Sequence, residues 1–495
     1  MSHGRASDEP GADGPSRTRR IVGLLLGPLL LLGTLLTTPP SGMELEAWRT
    51  AGVGLLMATW WITEAIPIPA TALLPLVLFP FLGLGDVEAA AGPFANPIIF
   101  LFMGGFMIAQ AVQRWDLHRR VALHLLHWVG SEPVRVVGGF MLATAFLSMW
   151  LSNTATAVLM LPIALSVVDL VMRKHPEAPD DPGELDFGVA LMLGIAYGAS
   201  IGGAATLIGT PPNALLAGFM ADEYDISIGF GQWMLVGVPL AALMLPLTWF
   251  VLTRWMFRVR GSGVPEMGKV IKEELAKMEA PGVGERLVAG VFVLTAITWI
   301  ARPALEGVLP GITDAGIAIA ATLLLFLLPV DWKQGVFALD WEHARKIPWN
   351  VLILFGGGLS LAGAITRSGL AEWIGGALSG VGTLPVLAIM GVVTLVIIFL
   401  TELTSNTASA AAFLPVLAAL AVEIGQDPLL LAVPAALGAS CAFMLPVATP
   451  PNAIVYGSSF VRIPQMARAG VIFNLLFALV IPLVSYLMLF LFFDL

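Results

Sequence analysis

Long apolar runs alternate with short polar breaks along the whole chain. The runs 21–37, 233–251, 384–400 and 471–493 contain no charged residue. A helix needs roughly 20 apolar residues to cross the hydrocarbon core of a bilayer, and these runs have about that length. The pattern therefore predicts an all-α, polytopic membrane protein.

The composition agrees with this pattern. Hydrophobic residues make up 57% of the 495 residues and charged residues 12%, and the mean hydropathy is +0.87. Lipid is thus the solvent for most of the protein. The net charge of -9 carries little information, because charge in such proteins sits in the loops. A single cysteine, Cys441, excludes an internal disulfide and fits a small residue packed in a helix.

Polar segments divide the chain into four parts. Residues 1–20 are polar, with arginines just before the first apolar run, and are predicted to form a disordered cytoplasmic tail. The longest polar break, 257–286, is predicted to be a cytoplasmic linker in which 266–278 forms an amphipathic surface helix. The two halves of the membrane region are then 21–256 and 287–495.

The tripeptide Ser-Asn-Thr occurs once in each half, at residues 152–154 and 405–407, inside apolar sequence. A shift of 253 positions (405 − 152 = 253) superposes the two copies. Three adjacent polar residues are costly at membrane depth unless protein or a water-filled cavity satisfies them. The recurrence predicts a duplicated architecture with one polar site in each half.

The same shift superposes two Gly-rich segments, 96–113 and 350–366, through Gly104 and Gly105 on Gly357 and Gly358. Each segment is apolar and short for two spans, so we expect a re-entrant hairpin at each. The alternative is an ordinary helix with a packing glycine pair.

A third repeated motif is Thr-Pro-Pro-Asn, at residues 210–213 and 449–452. Two consecutive prolines remove two backbone donors and stop a helix. Each half is therefore expected to contain two broken helices, near 148–156 and 206–213 in the first half and near 401–409 and 446–452 in the second. Paired interruptions at corresponding positions point to a binding site near the bilayer midplane of a secondary transporter.

The chemistry of such breaks suits two kinds of ion. A half-helix N-terminus presents free N–H groups and the positive end of its dipole to an oxyanion such as a carboxylate. Freed carbonyls with Asn and Ser oxygens suit a hard cation such as Na⁺. The broken segments contain no Lys or Arg, so we expect neutral donors to hold the anion while Na⁺ supplies countercharge. Intramembrane acids are functional hypotheses by default, but for Glu64 and Glu402 a structural role is favoured.

Together these motifs resemble the divalent anion/sodium symporter family, which includes dicarboxylate, citrate and sulfate carriers. The resemblance runs from residue 21 to the C-terminus. It rests on the paired Ser-Asn-Thr and Thr-Pro-Pro-Asn motifs, on TEAIPIPATALLP at 63–75 and on FMGGFMIAQAVQRWDLHRR at 102–120.

The resemblance implies an inverted repeat of about 11 transmembrane helices plus two re-entrant hairpins. It also implies a homodimer that works as an elevator. The implied substrate residues are Ser152, Asn153, Thr154, Thr210, Pro211, Ser405, Asn406, Thr407, Thr449 and Pro450. The implied sodium ligands are Ser148, Ser152, Asn153 and the Gly209 carbonyl at one site, and Thr401, Ser405, Asn406 and the Ala448 carbonyl at the other. Ser148 and Thr401 each stand four residues before the tripeptide serine, on the same helix face.

The expected function is sodium-coupled import of a C4-dicarboxylate such as succinate, malate or fumarate, by a multi-pass protein of the bacterial inner membrane that contacts lipid. A sodium-independent exchanger, a proton-coupled antiporter, and a sulfate or citrate carrier of the same fold are the alternatives, because fold does not fix coupling. An enzyme is disfavoured, since His118, His124 and His127 form no catalytic motif. Nucleic-acid binding is disfavoured because the chain has no concentrated basic face.

Overall fold

The structure is a computed structural model that describes residues 17–130, 132–173, 182–259, 267–377 and 384–493. The expected disordered tail falls mainly on residues 1–16, which lie outside the described residues. Residues 17–20 already belong to the first helix, which begins at Arg17.

The described part of the first half consists of helices joined by turns and short irregular segments. Its helices are α1 (Arg17–Leu36), α2 (Leu45–Thr63), α3 (Ile68–Thr71), α4 (Leu74–Leu82), α5 (Val87–Ala91), α6 (Pro97–Arg114), α7 (Leu117–His127), α8 (Pro133–Ser148), α9 (Asn153–Arg173), α10 (Pro182–Ala204), α11 (Pro211–Tyr224) and α12 (Phe230–Phe250). A 3₁₀ turn at Gly92–Ala95 precedes α6, and a π-helical turn at Val251–Met256 extends α12.

In the described residues of the linker and the second half, there are eleven helices and one small hairpin. The helices are α13 (Met267–Lys277), α14 (Val283–Leu305), α15 (Asp314–Leu327), α16 (Trp341–Ala344), α17 (Trp349–Arg367), α18 (Leu370–Ala377), α19 (Val386–Thr401), α20 (Asn406–Glu423), α21 (Leu429–Ala439), α22 (Pro450–Tyr456) and α23 (Ile463–Phe492). Strands β1 (Pro329–Asp331) and β2 (Val336–Phe337) pair antiparallel, with Pro329 opposite Phe337.

Eight helices within the described ranges are long and apolar enough to cross a membrane. Lipid-length helices such as α1 and α23 also expose large apolar side chains, for example Leu29 at 62% and Leu479 at 67%. Exposed leucines are stable in hydrocarbon but costly in water. The expectation of an all-α polytopic membrane protein is confirmed.

The Gly-rich segments 96–113 and 350–366 do not turn back, so the hairpins expected there are wrong. Each segment lies within one uninterrupted helix, α6 or α17. Their glycines allow close packing: a Cβ on Gly104 would stand 2.7 Å from the Ala318 Cβ, and one on Gly357 would stand 2.1 Å from the Ala72 carbonyl oxygen. The alternative, a helix with a packing glycine pair, is the correct one.

The interrupted elements are the helix pairs that flank the Ser-Asn-Thr motifs. Helices α8 and α19 have 16 residues each. At 1.5 Å per residue they are about 24 Å long, shorter than the roughly 30 Å hydrocarbon core. Helices of this length do not span the core, so the helix pairs that turn at 149–152 and 402–405 are better candidates for re-entrant hairpins.

The repeat extends to the order of the elements and to their contacts. Both ends of α19 and the start of α20 lie 253 positions after those of α8 and α9. Across the halves, α9 packs against α22 while α20 packs against α11, and α10 packs against α22 while α21 packs against α11. A two-fold axis that relates the halves produces this kind of reciprocal pairing, as it does in a symmetric dimer.

The linker contains a helix, as expected. Helix α13 packs against α7, and Arg119 Nη2 lies 2.7 Å from Glu274 Oε2. Hydrogen bonds from Lys277 and Arg119 lower the pKa of Glu274, and they outweigh the opposing effect of burial. Residue 266, the first of the expected helix, lies outside the described residues.

Candidate functional site

The first Ser-Asn-Thr motif starts a helix. Helix α8 ends at Ser148, a four-residue turn follows, and α9 begins at Asn153. The Ser152 Oγ accepts a hydrogen bond from the Ala155 N–H at 3.2 Å, as an N-cap serine does. The Ser152 hydroxyl therefore explains the break and caps α9.

Three oxygen atoms converge on one end of the side-chain amide of Asn153. One end of the amide lies 2.6 Å from Ser148 Oγ, 3.3 Å from the Gly209 carbonyl oxygen and 3.2 Å from the Ala199 carbonyl oxygen. With its nitrogen at this end, the amide donates to these acceptors. With its oxygen there, four oxygens face one another with too few donors, and a cation is the chemical solution to such a cluster. The residues present therefore fit a hard cation.

Two glycines make this convergence possible. A Cβ on Gly203 would stand 2.4 Å from Asn153 Oδ1, and a Cβ on Gly209 would stand 2.3 Å from the Gly203 carbonyl oxygen. Either addition forces a shift of the amide or of the backbone. Gly203, one residue before the end of α10, therefore lets α9 and the loop before α11 approach closely.

The second Ser-Asn-Thr motif builds a related cluster. The Thr401 Oγ1 donates to Asn406 Oδ1 at 2.8 Å and lies 3.0 Å from the Ala439 carbonyl oxygen. Ser405 is the N-cap residue of α20 but makes no side-chain cap hydrogen bond. Among the described residues, no hydrogen bond joins Ala448 to Asn406. The structure thus brings together Thr401 and Asn406, and it adds the Ala439 carbonyl, which contacts Thr401.

The Thr-Pro-Pro-Asn motifs start two further helices and join the halves. Thr210 and Thr449 have extended backbones at the N-caps of α11 and α22, and Thr449 Oγ1 accepts from the Asn452 N–H at 3.3 Å. Thr210 Oγ1 lies 3.4 Å from the Ser440 Oγ of the other half. Pro211 and Pro450 occupy the first helical positions, where a missing N–H costs nothing.

The tripeptides differ in exposure. Ser152, Asn153, Ser405 and Asn406 are half-buried and Thr154 is exposed, while Thr407 is buried. The half-helix N-termini are thus partly accessible.

Asn213 and Asn452, the last residues of the two Thr-Pro-Pro-Asn motifs, were not among the expected site residues. The Asn213 Nδ2 donates to the Thr206 carbonyl at 2.8 Å and the Ala204 carbonyl at 3.2 Å. The Asn452 Nδ2 donates to the Leu445 carbonyl at 3.0 Å and the Ala442 carbonyl at 3.1 Å. Each amide holds the unwound loop before its own helix. The repetition of Asn in both motifs was the available signal.

Glu402 has the structural role that was favoured for it. Its carboxylate accepts from the backbone N–H groups of Phe443, Met444 and Leu445 at 2.6, 2.9 and 3.2 Å, and from Asn474 Nδ2 at 2.8 Å. These N–H groups belong to the break between α21 and α22. Glu64 ends α2 in a left-handed conformation, with φ of 49°.

Arg19 is a further residue near the site that the sequence did not indicate. Its Nη2 donates to the Leu403 carbonyl at 2.7 Å, two residues before the second tripeptide, and also to the Ile62 carbonyl. Because the two residues are 384 positions apart, sequence patterning could not place this guanidinium beside the turn.

Oxygen atoms provide the ligand chemistry at both clusters. Within the described ranges, no group of three or more His, Cys, Asp or Glu side chains could hold a metal ion, and His124 Nδ1 pairs with the Arg120 carbonyl. Hydroxyl, amide and carbonyl oxygens suit hard cations rather than transition metals.

Broken helices, repeated oxygen clusters and a lipid-length helical framework define a multi-pass membrane transporter. The chain belongs to the family described as the sodium:sulfate symporter transmembrane region, whose model matches residues 18–492. It is therefore a transporter of a sodium-coupled family and not an enzyme, and the family identified from its motifs is confirmed.

The chain is also similar to proteins that are named sodium-dependent dicarboxylate transporters. The chain is 42% identical over 477 residues to the sodium-dependent dicarboxylate transporter SdcS of Staphylococcus aureus strain MRSA252, covering 95% of this chain and 92% of that protein. It is 43% identical over 473 residues to SdcS of Staphylococcus saprophyticus, covering 94% of this chain and 91% of that protein.

Two solved structures share the fold. The YdaH transporter of Alcanivorax borkumensis superposes with a TM-score of 0.55 at 15% identity, covering 95% of this chain and 98% of that chain. MtrF of Neisseria gonorrhoeae superposes with a TM-score of 0.53 at 13% identity, covering 94% of each chain. At these identities the likeness concerns the fold alone.

Proposed function

We propose that this chain imports small dicarboxylates, C4-dicarboxylates in the first place, by symport with Na⁺. The cluster at Asn153 is the observation that carries the proposal, because the Ser148 hydroxyl and the Gly209 and Ala199 carbonyls converge on an amide that can turn its oxygen toward a cation held among them. The names of the S. aureus and S. saprophyticus relatives support a dicarboxylate as the transported anion.

In this proposal, different groups of the chain bind the cation and the anion. The hydroxyls of Ser148 and Thr401, the amides of Asn153 and Asn406 and nearby carbonyls form the two cation sites. Bound Na⁺ supplies the positive charge that lets neutral donors hold a dianion. The N-termini of α9 and α20 direct free N–H groups and positive dipole ends toward carboxylates.

Binding of cation and anion is coupled through the two asparagines. An amide whose oxygen faces a cation presents its nitrogen on the opposite side, where it can donate to a carboxylate. Cation binding thus orients the donor, and by linkage the anion raises cation affinity by the same factor.

We further propose an elevator mechanism in a homodimer of the bacterial inner membrane. In support, α8 to α11 and α19 to α22 pack on one another across the halves, so the two clusters would move as one body. The contacts of α6 with α15 and of α1 with α2 lie outside this group and would remain fixed in the membrane.

Uptake of radiolabelled succinate into proteoliposomes tests the function. An inward Na⁺ gradient is compared with an equal choline gradient and with vesicles preloaded with unlabelled succinate. Accumulation that requires Na⁺ supports symport.

Two other outcomes would change the proposal. Uptake that does not depend on Na⁺ but requires preloaded substrate would show that the protein is an exchanger. Because the family description names sulfate, sulfate and citrate serve as alternative labelled substrates. Sodium-driven uptake of either, without succinate uptake, would contradict the dicarboxylate assignment.

A further inference from the structure

Asn213 and Asn452 each bury a side-chain oxygen that has no partner. Both residues are 0% exposed, and the Oδ1 atom of each lacks a hydrogen bond. An amide oxygen that is buried without a donor loses the hydrogen bonds that water would give it, which destabilises the fold. A buried oxygen of this kind calls for an explanation, and here it occurs at two repeat-related positions.

The orientation of both amides is fixed by their other end. The Nδ2 of Asn213 faces the carbonyls of Gly203, Ala204 and Thr206. The Nδ2 of Asn452 faces those of Ala442 and Leu445. A flip would set oxygen against carbonyl oxygens, so the free oxygens are a real feature of both breaks.

The Asn213 amide lies beside the first cation cluster. The Gly203 carbonyl oxygen is 3.4 Å from Asn213 Nδ2, and the same glycine is the residue on which Asn153 and Gly209 converge. In the second half, the Ala442 carbonyl accepts from Asn452, and the Ala439 carbonyl, three residues earlier, accepts from Thr401 Oγ1 of the second cluster.

We propose that the side-chain oxygens of Asn213 and Asn452 are additional ligands of the two sodium sites, one in each half. This inference rests on the sodium-coupled function proposed above. An amide oxygen is a hard, neutral ligand that suits Na⁺. The Nδ2 hydrogen bonds then serve to fix the loop carbonyls and to aim the oxygen at the ion.

The test distinguishes the role of the side-chain oxygen from the role of the Nδ2 donor. Asn452→Asp and Asn452→Leu both remove the Nδ2 donors, but Asp retains an oxygen at the same position. Asn213→Asp and Asn213→Leu form the matched pair in the first half. Ser485→Ala removes another fully buried oxygen without a partner that belongs to α23 and not to either cluster, and it serves as the control.

The readout is the Na⁺ concentration that gives half of the sodium-dependent rise in the unfolding temperature of the purified protein. N-methylglucamine keeps ionic strength constant, and the 14 tryptophans report unfolding by fluorescence. We expect each Leu variant to raise that concentration about tenfold, which corresponds to about 1.4 kcal/mol, and each Asp variant to stay within about threefold of wild type. Ser485→Ala should match wild type.

If the Asp and Leu variants raised the half-maximal Na⁺ concentration equally, the proposal would be overturned. The amides would then only hold the loops that precede α11 and α22. Should a Leu variant fail to fold, Ser replaces it, because a hydroxyl is too short to reach the amide position and should behave like Leu. If Na⁺ did not change the unfolding temperature of the wild-type protein, the sodium-coupled function itself would be overturned. This inference would fall with it.

Discussion

At the scale of single residues, the two halves hold equivalent breaks with different chemistry. Thr206 Oγ1 in the first half donates to the Met149 carbonyl at 2.5 Å and accepts from the Gly209 N–H at 3.1 Å. The second half uses the Glu402 carboxylate, which accepts from three consecutive N–H groups. Met149 occupies the position in the first half that corresponds to Glu402. The second half therefore has an acidic residue where the first half has an apolar one.

Glu402→Gln tests that role. Gln keeps the shape but turns an NH₂ group toward backbone donors, so at least one N–H of the break loses its acceptor. We expect the free energy of unfolding to fall by about 1–3 kcal/mol, the cost of an unsatisfied buried polar group. Unfolding in mixed detergent and SDS measures the change.

Glu423→Gln is the matched control for Glu402→Gln. Glu423 ends α20, and its side chain is exposed, so its substitution should leave the unfolding free energy within about 0.5 kcal/mol of wild type. If Glu402→Gln were equally neutral, the carboxylate would not hold the break.

Site residues could be predicted from the sequence where the side chain is polar and therefore costly to place in lipid. Asn153, Asn406 and Glu402 stand out because each is a polar group inside an apolar run, and the structure gives each a defined set of partners. Ala199 and Ala439 could not be found in this way, because they contribute backbone carbonyls that any residue type has. Their position depends on how α10 and α21 pack, which is a property of the fold.

At the scale of elements, close helix approach at Gly203 sets the geometry of the first cluster. Gly203→Ala places a Cβ 2.4 Å from Asn153 Oδ1, so the amide must leave its position. We expect the Na⁺ concentration for half-maximal uptake to rise about tenfold, equivalent to the loss of about 1.4 kcal/mol of binding.

Gly290→Ala is the control for Gly203→Ala. Gly290 lies in α14, and a Cβ there would meet no atom within 4 Å. Its sodium dependence should match wild type. Identical curves for both alanine variants would show that the close approach of α10 to Asn153 has no part in sodium binding.

The elements also show where sequence reasoning on hairpins went wrong. Paired glycines and short apolar length fit both a re-entrant turn and a tightly packed helix, and only tertiary contacts separate the two. In α6 and α17 the glycines meet neighbouring helices, so the chain continues straight. The Ser-Asn-Thr turns were placed correctly because three adjacent polar residues are costly inside an apolar run, and this is visible in the local sequence.

At the scale of the whole molecule, the duplicated sequence becomes a reciprocal packing of two halves. Helices that begin at Ser-Asn-Thr in one half pack against helices that begin at Thr-Pro-Pro-Asn in the other. The helices that hold the two clusters therefore form one packed unit. The repeat was visible in the sequence, whereas this exchange of partners was not, because no local pattern specifies which helices meet.

The sodium activation curve of succinate uptake, measured for wild type, Asn153→Ala and Asn406→Ala, tests the central claim of one cation site in each half. Two coupled sites predict a Hill coefficient above 1 in wild type, and each single substitution should lower it to about 1 while raising the Na⁺ requirement. Retention of the wild-type Hill coefficient and Na⁺ requirement by both folded variants would contradict the assignment of the sites to Asn153 and Asn406.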